Sequence, residues 1–248
     1  MLVFLWHWVQ RIFTAISFVV LAIVFLPLLC LLVCLPVSIR YDNRLFWFFA
    51  YAWNWAIVRS GFLKIRIEGA ENLSVYPNNP AIILMNHASS YDIYLMEFLL
   101  KGYPHIWISK VEYFKIPLFG FILKRMGVAI NRQNPFQSAK SLVKAMELVA
   151  EKSRHLVLFP EGTRYSDGKI HEFFKGFVPV AQKLDRPVIP IYVEGLQRYF
   201  PRGAYFINPS FRAINIIIGK PMIYQKDESV DAFFAKIHAW FCKKVQSD

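Results

Sequence analysis

The chain changes character near residue 62. Before that point its apolar positions form two long runs. Residues 12–39 contain no charged side chain. As a helix such a run is about 42 Å long, more than the ~30 Å hydrocarbon core of a bilayer. Pro27 and Pro36 mark places where it kinks or ends. Residues 45–63 are apolar again and crowded with rings: Phe46, Trp47, Phe48, Phe49, Tyr51, Trp53 and Trp55. A polar turn, Arg40-Tyr41-Asp42-Asn43-Arg44, separates the two. Trp and Tyr favour the membrane–water interface, where the ring is half buried and its N–H or O–H stays wet. The pattern predicts a membrane-anchoring hairpin over residues 1–62, one helix deep and one interfacial. A secretory signal peptide fits poorly, because the apolar region is too long and no small-x-small cleavage site stands out.

Beyond residue 62 the apolar runs are short and alternate with amphipathic stretches. Strands are expected at 63–68, 81–85, 106–109, 128–130, 156–159, 188–193 and 213–218. Helices are expected at 90–100, 117–126, 135–153, 174–184 and 229–245. In the third of these, Pro135 opens the helix and Leu142, Val143, Met146 and Val149 form one stripe. Alternation of this kind gives an α/β domain over residues 63–248, with a mixed, mostly parallel sheet flanked by helices.

Two stretches carry candidate chemistry, and both follow an apolar strand. The first is Asn86-His87-Ala88-Ser89-Ser90-Tyr91-Asp92, with Ser89 and Ser90 as candidate N-caps of the next helix. On a continuous helix, five residues rotate by roughly 140° beyond a full circle, so His87 and Asp92 would diverge. They meet only if His87 precedes the helix. A carboxylate on one imidazole nitrogen leaves the other free as a general base. The second stretch, Phe159-Pro160-Glu161-Gly162-Thr163-Arg164, suits an anion: Arg for phosphate, Gly for close backbone approach. Ligand sites of open α/β sheets gather at the carboxyl ends of strands, where both stretches are expected. Lys110 and Arg132 close two further expected strands and join the candidates.

These stretches resemble the 1-acyl-sn-glycerol-3-phosphate (lysophosphatidic acid) acyltransferase family. The matching blocks are Asn86 to Asp92, Gly127 to Arg132, Phe159 to Arg164 and Val188-Ile189-Pro190-Ile191, in the family's order. The resemblance covers roughly residues 65–220, and the first and third blocks are the specific ones. Two positions depart from it: Ala129-Ile130, where many members have bulkier or aromatic residues, and Tyr165, often Ser. The resemblance implies a glycerolipid acyltransferase-like fold with an N-terminal two-helix membrane element. It further implies His87 and Asp92 as the catalytic pair, and Lys110, Arg132, Glu161, Gly162, Thr163 and Arg164 around the acceptor's phosphate and glycerol. The expected substrates are lysophosphatidic acid and acyl-acyl carrier protein or acyl-coenzyme A, the latter as co-substrate, with no cofactor and no metal.

Composition narrows the alternatives. Apolar residues make up 56% of the chain, above the usual 45–50%, and the excess sits in the hairpin. The net charge of +12 is spread out, densest at Lys101, Lys110, Lys115, Lys124 and Arg125. No nucleic-acid-binding pattern accompanies it, so attraction to anionic headgroups of a phospholipid membrane explains it more simply. Cys30, Cys34 and Cys242 form no C-x-x-C pattern, and the six His are dispersed. A serine esterase would need Gly-x-Ser-x-Gly, which is absent. A non-catalytic anionic-lipid-binding protein accounts for hairpin and charge but not for the His87–Asp92 spacing. The expected location is the cytoplasmic face of the inner or plasma membrane, by the positive-inside rule, with a spanning or one-leaflet first helix left open.

Overall fold

The computed structural model describes residues 2–74, 79–131, 133–151 and 154–245. Helices α1 (Leu2–Leu32), α2 (Val37–Arg40) and α3 (Arg44–Ser60) precede β1 (Lys64–Glu68) and α4 (Glu71–Ser74). Then come β2 (Ile82–Met85), α5 (Asp92–Leu100), β3 (His105–Lys110), a 3-10 turn Val111–Lys115, α6 (Phe119–Met126) and β4 (Gly127–Ile130). The chain continues through α7 (Pro135–Ala150), β5 (His155–Leu158), α8 (Phe177–Leu184), β6 (Val188–Glu194) and α9 (Leu196–Tyr199). A 3-10 turn Pro209–Phe211, β7 (Ala213–Ile218) and α10 (Val230–Val245) complete it.

One seven-stranded sheet runs in the order β1-β7-β6-β2-β5-β3-β4. Pairing is parallel throughout except between β6 and β7. Both faces of the central strands are covered, so β2 is wholly buried and has no polar position. All seven expected strands are present, within a residue or two of their expected limits. Three helices start two or three residues late, α8 at Phe177 among them. At α6, Pro117 stays in the preceding turn and Leu118 takes a left-handed backbone (φ 57°). At α5 the serines do not cap the helix itself. Ser89 Oγ accepts from the N–H of Tyr91, one residue before the helix, and Ser90 is used elsewhere. The expected end of α7 at Ser153 lies outside the described residues; its last helical residue is Ala150.

The N-terminal region forms two long helices, as the pattern predicts. α1 begins ten residues earlier than the charge-free run and passes straight through Pro27. It is long and apolar enough to cross a membrane. Only Gln10, Thr14 and Leu29 are buried along it. Yet it touches the domain over most of its length. Arg11 Nε donates to the Ile207 carbonyl (3.1 Å), Thr14 Oγ1 to that of Ser60 (2.9 Å), and Phe18 packs edge-on against Tyr94.

α3 behaves differently from an interfacial helix. Phe46, Trp47, Ala50, Trp53, Ile57 and Val58 enter the same buried cluster as the sheet. Of the three Trp on α3, only Trp55 keeps a large exposed surface, at 41%. The apolar face of α5 supplies the surface that lipid was expected to supply, and Tyr91 on the turn before α5 ties the two by donating its O–H to the Ile57 carbonyl (2.6 Å). Residue 62 therefore ends the hairpin in sequence, while the core runs across it.

Candidate active site

β2 ends at Met85, and the next residue locks the turn that follows. Asn86 Nδ2 donates to the Val193 carbonyl (2.9 Å), and the Val193 N–H donates to Asn86 Oδ1 (2.7 Å). The amide thus continues the β2–β6 ladder by one rung and turns His87 out of the sheet. α5 begins at Asp92, so His87 precedes the helix as the spacing required.

The pair meets. His87 Nδ1 lies 2.8 Å from Asp92 Oδ2. That same oxygen accepts the backbone N–H groups of Ala88 and Ser89, each at 2.8 Å. With two fixed donors already on it, Oδ2 acts as an acceptor, so the imidazole donates through Nδ1. Nε2 is then the unprotonated nitrogen, available as a base. Below the imidazole lies Phe159, stacked at 3.9 Å between centroids and 7° between planes. Both residues of the pair are buried, Asp92 almost completely.

The third block is built around this pair. Glu161, 4% exposed, accepts the backbone N–H of His87 on Oε2 (2.7 Å) and that of His171 on Oε1 (3.1 Å). Burial raises its carboxyl to about 7. The two backbone donors and the His171 charge oppose that rise, while nearby Asp92 adds to it. Tyr165 N–H donates to the carbonyl of His87 (2.9 Å), so both polar groups of that residue's backbone are held by this block. Gly162 sits at φ 69°, a left-handed conformation that glycine adopts without strain.

Arg164 donates to Ser90 Oγ and, at 3.4 Å, to Tyr113 Oη. It makes no ion pair with a carboxylate among the described residues, which leaves its fork available to an anion. His87, Lys110, Gly162, Thr163 and Arg164 line one cavity of about 440 Å³. Arg202 joins them from the loop after α9. The remainder of the wall is largely apolar, with contributions from Leu29, Trp53, Phe119 and Leu123. Of the residues expected around the acceptor, Glu161 stands behind the site with both oxygens occupied by backbone. Arg132 lies outside the described residues. Sequence reading missed Phe159 as a ring support, Ser90 and Tyr113 as Arg164 partners, and Arg202. Arg202 has no motif around it. Phe159 and Ser90 lie inside the two motifs, but their spacing does not reveal what they touch.

Comparison with known proteins gives the family and the fold. The acyltransferase family model matches residues 64–194, from β1 through β6. A chloroplastic 1-acyl-sn-glycerol-3-phosphate acyltransferase of Brassica napus is 35% identical over 188 residues, which is 75% of this chain and 53% of that protein. Its counterpart LPAT1 from Arabidopsis thaliana is 36% identical over 73% of this chain and 50% of its own. A 1-acyl-sn-glycerol-3-phosphate acyltransferase of Pseudomonas aeruginosa is 29% identical over 64% of this chain and 60% of its own. The chain spans about half the length of the plant relatives it matches. The fold is similar to the crystal structure of a 1-acyl-sn-glycerophosphate acyltransferase from Thermotoga maritima, with a TM-score of 0.75 at 22% identity over 97% of this chain and 96% of that one. With its His87–Asp92 pair and its Arg164 turn both inside the matched region, the chain belongs to the acyltransferase family.

Proposed function

We propose that the protein is a 1-acylglycerol-3-phosphate O-acyltransferase. It moves a fatty acyl group from acyl-acyl carrier protein or acyl-coenzyme A to the sn-2 hydroxyl of lysophosphatidic acid, giving phosphatidic acid. One observation carries this reading: a single cavity holds the base His87, the cations Lys110 and Arg164, and a long apolar wall. That combination suits a substrate pair with a phosphate at one end and a hydrocarbon chain at the other. The names of the relatives point the same way.

The acceptor's phosphate rests on Arg164, with Lys110 beside it and Arg132 as a further candidate. Its free hydroxyl lies against His87 Nε2, which takes the proton as the oxygen attacks the thioester carbonyl. Asp92 fixes the tautomer and stabilises the imidazolium. As the tetrahedral intermediate collapses, the C–S bond breaks and the imidazolium gives its proton to the departing thiolate, which leaves as the thiol. No acyl-enzyme and no cofactor are called for. Glu161 acts indirectly, by fixing the backbone of His87.

The partner surface is a phospholipid membrane, reached from its cytoplasmic side. The exposed apolar side of α1 is the contact. Because α1 stays against the domain from Arg11 to Leu29, embedding in one leaflet suits it better than a crossing that stands away from the domain. Residues 1–62 then form an anchor whose second helix also walls the cavity.

The test is acyl transfer by purified full-length protein in detergent, with lysophosphatidic acid and each donor in turn. Phosphatidic acid forms with wild type and falls to background with His87→Ala. If wild type binds lipid but forms no product with either donor, the protein is a lipid-binding module and the proposal fails.

A further inference from the structure

A second cavity, of about 510 Å³, opens beside the first, and the proposed mechanism does not use it. Lys110, Glu112 and Thr163 line both, so the two meet where β3 ends beside the third block. The strand order places the second one. His87 follows β2, Thr163 follows β5, Lys110 ends β3 and Asn131 follows β4. These four strands are successive neighbours in the sheet. At roughly 4.8 Å per strand, the cleft extends along the carboxyl edge from Thr163 towards Asn131, about 10–15 Å from β2 at its far end.

Its lining differs in kind from that of the first cavity. Glu112, Thr163 and Glu172 make no side-chain hydrogen bond or ion pair among the described residues. Tyr165 is held by its ring, which stacks on His171 at 3.6 Å between centroids and 13° between planes. Its hydroxyl likewise has no partner among the described residues. The buried ring of Phe173 and the half-buried Ile130 supply an apolar part. Free donors and free acceptors share one cleft, which suits a ligand that has both. The two exposed carboxylates disfavour a phosphate, and Lys110 is the one cation lining the cleft among the described residues. The fitting ligand is therefore uncharged and rich in amides.

We propose that the cleft from Thr163 to Asn131 seats the pantetheine arm of the acyl donor. This deepens the acyltransferase reading and rests on it. A thioester's hydrocarbon end suits the apolar chamber, so its sulfur end needs another way out. Acyl-coenzyme A and acyl-acyl carrier protein both carry the sulfur on a 4′-phosphopantetheine arm, with two amides between sulfur and phosphate. Such an arm is built like a short extended peptide and spans a distance of this order. Glu112 and Glu172 accept its amide N–H groups, and the Tyr165 hydroxyl donates to a carbonyl. The thioester carbon then lies at the join, where Lys110 and Thr163 border the chamber of His87. The phosphate end emerges beside β4, so the nucleotide or the carrier protein stays outside the cleft.

The experiment uses the full chain in detergent and thioethers, which mimic the donor but cannot transfer. S-dodecyl-N-acetylcysteamine carries one amide, and S-dodecyl-pantetheine carries the whole arm. Each is titrated by displacement of a fluorescent fatty acid. Wild type should bind the pantetheine form roughly tenfold or more tightly. Glu172→Leu and Tyr165→Phe should each lower that preference by roughly threefold, and together remove most of it. The two ligands share one tail, so a general loosening of the fold weakens both alike and leaves the ratio unchanged. Equal binding of the two by wild type overturns the proposal, as does a preference that survives both substitutions in folded protein. The same thioether on coenzyme A and on acyl carrier protein separates the sources: the form that binds more tightly than the pantetheine form marks the donor. Transfer from the corresponding thioesters runs in parallel. If the pantetheine preference appears while wild type transfers no acyl group, the cleft stands and the acyltransferase reading falls.

Discussion

Arg154 holds Asp42 through two parallel hydrogen bonds, Nε to Oδ1 at 2.9 Å and Nη2 to Oδ2 at 3.0 Å, across 112 positions of chain. The guanidinium is 1% exposed, stacks on Tyr41 and also donates to the Leu148 carbonyl (2.7 Å). This pair fastens the turn between α2 and α3 to the start of β5. Asp42→Ala leaves a buried cation short of its main partner, with Glu151 at 3.6 Å the one other carboxylate paired with it among the described residues. The expected loss is about 1–3 kcal/mol, read as a lower unfolding temperature in detergent. Asp42→Asn should lose less. Unfolding indistinguishable from wild type in both would show that the hairpin is held by packing alone.

The His87–Asp92 pair gives the sharpest kinetic expectation. His87→Ala should reduce turnover by ~10²–10⁴-fold, the usual range for a general base. Asp92→Asn retains the shape but no longer dictates which nitrogen of His87 carries the proton, so it should lose ~10²-fold or more with stability nearly unchanged. Near-normal turnover in His87→Ala would remove it from the mechanism.

Arg164 should act on the acceptor rather than on the chemistry. Loss of a charge-assisted contact costs about 1.5–3 kcal/mol, roughly 10- to 150-fold in kcat/KM, mostly as a raised KM for lysophosphatidic acid. Acceptors without a terminal phosphate should be affected less by Arg164→Ala. An equal loss for all acceptors would mark Arg164 as structural, through Ser90 and Tyr113.

Glu161 links stability to pH with an unusual sign. Its carboxyl is raised to about 7 in the folded protein from an ordinary 4.5, so between those values the native state binds more protons than the unfolded chain. Stability from this group is therefore greatest below pH 4.5 and declines as pH rises to about 7, by an order of 3 kcal/mol. Glu161→Gln cannot titrate. The difference in unfolding free energy between wild type and Glu161→Gln, measured by denaturant titration from pH 5 to pH 8, should shift against wild type as pH rises. A difference that stays flat with pH would show that Glu161 is ionised throughout.

Much of this was legible from residue patterns because the signals were local. Seven short apolar runs gave seven strands, and the five-residue spacing of His87 and Asp92 required a strand-to-helix junction that the structure contains. What stayed hidden depends on contacts between distant segments. Rings on α3 look the same in sequence whether they face lipid or α5. Glu161 reads as a substrate ligand because its neighbours in the motif line the cavity, yet its carboxylate turns back to two backbone N–H groups. Glu97 Oε1 meets His105 Nε2 at 3.0 Å, yet the two are eight residues apart on different elements, and no periodicity links them.

The third block holds both the N–H and the carbonyl of His87, and this limits how the protein can be recombined. Segments 86–92 and 159–171 form one inheritable unit, although the chain interrupts it with three strands' worth of other sequence. A chimera that imports the Arg164 turn alone would bring a foreign Glu161 and Tyr165 to a native His87 and misplace its imidazole by the mismatch between them. Exchanging both segments together moves His87 and Arg164 as a matched pair. The intervening walls of the cavity would stay with the host.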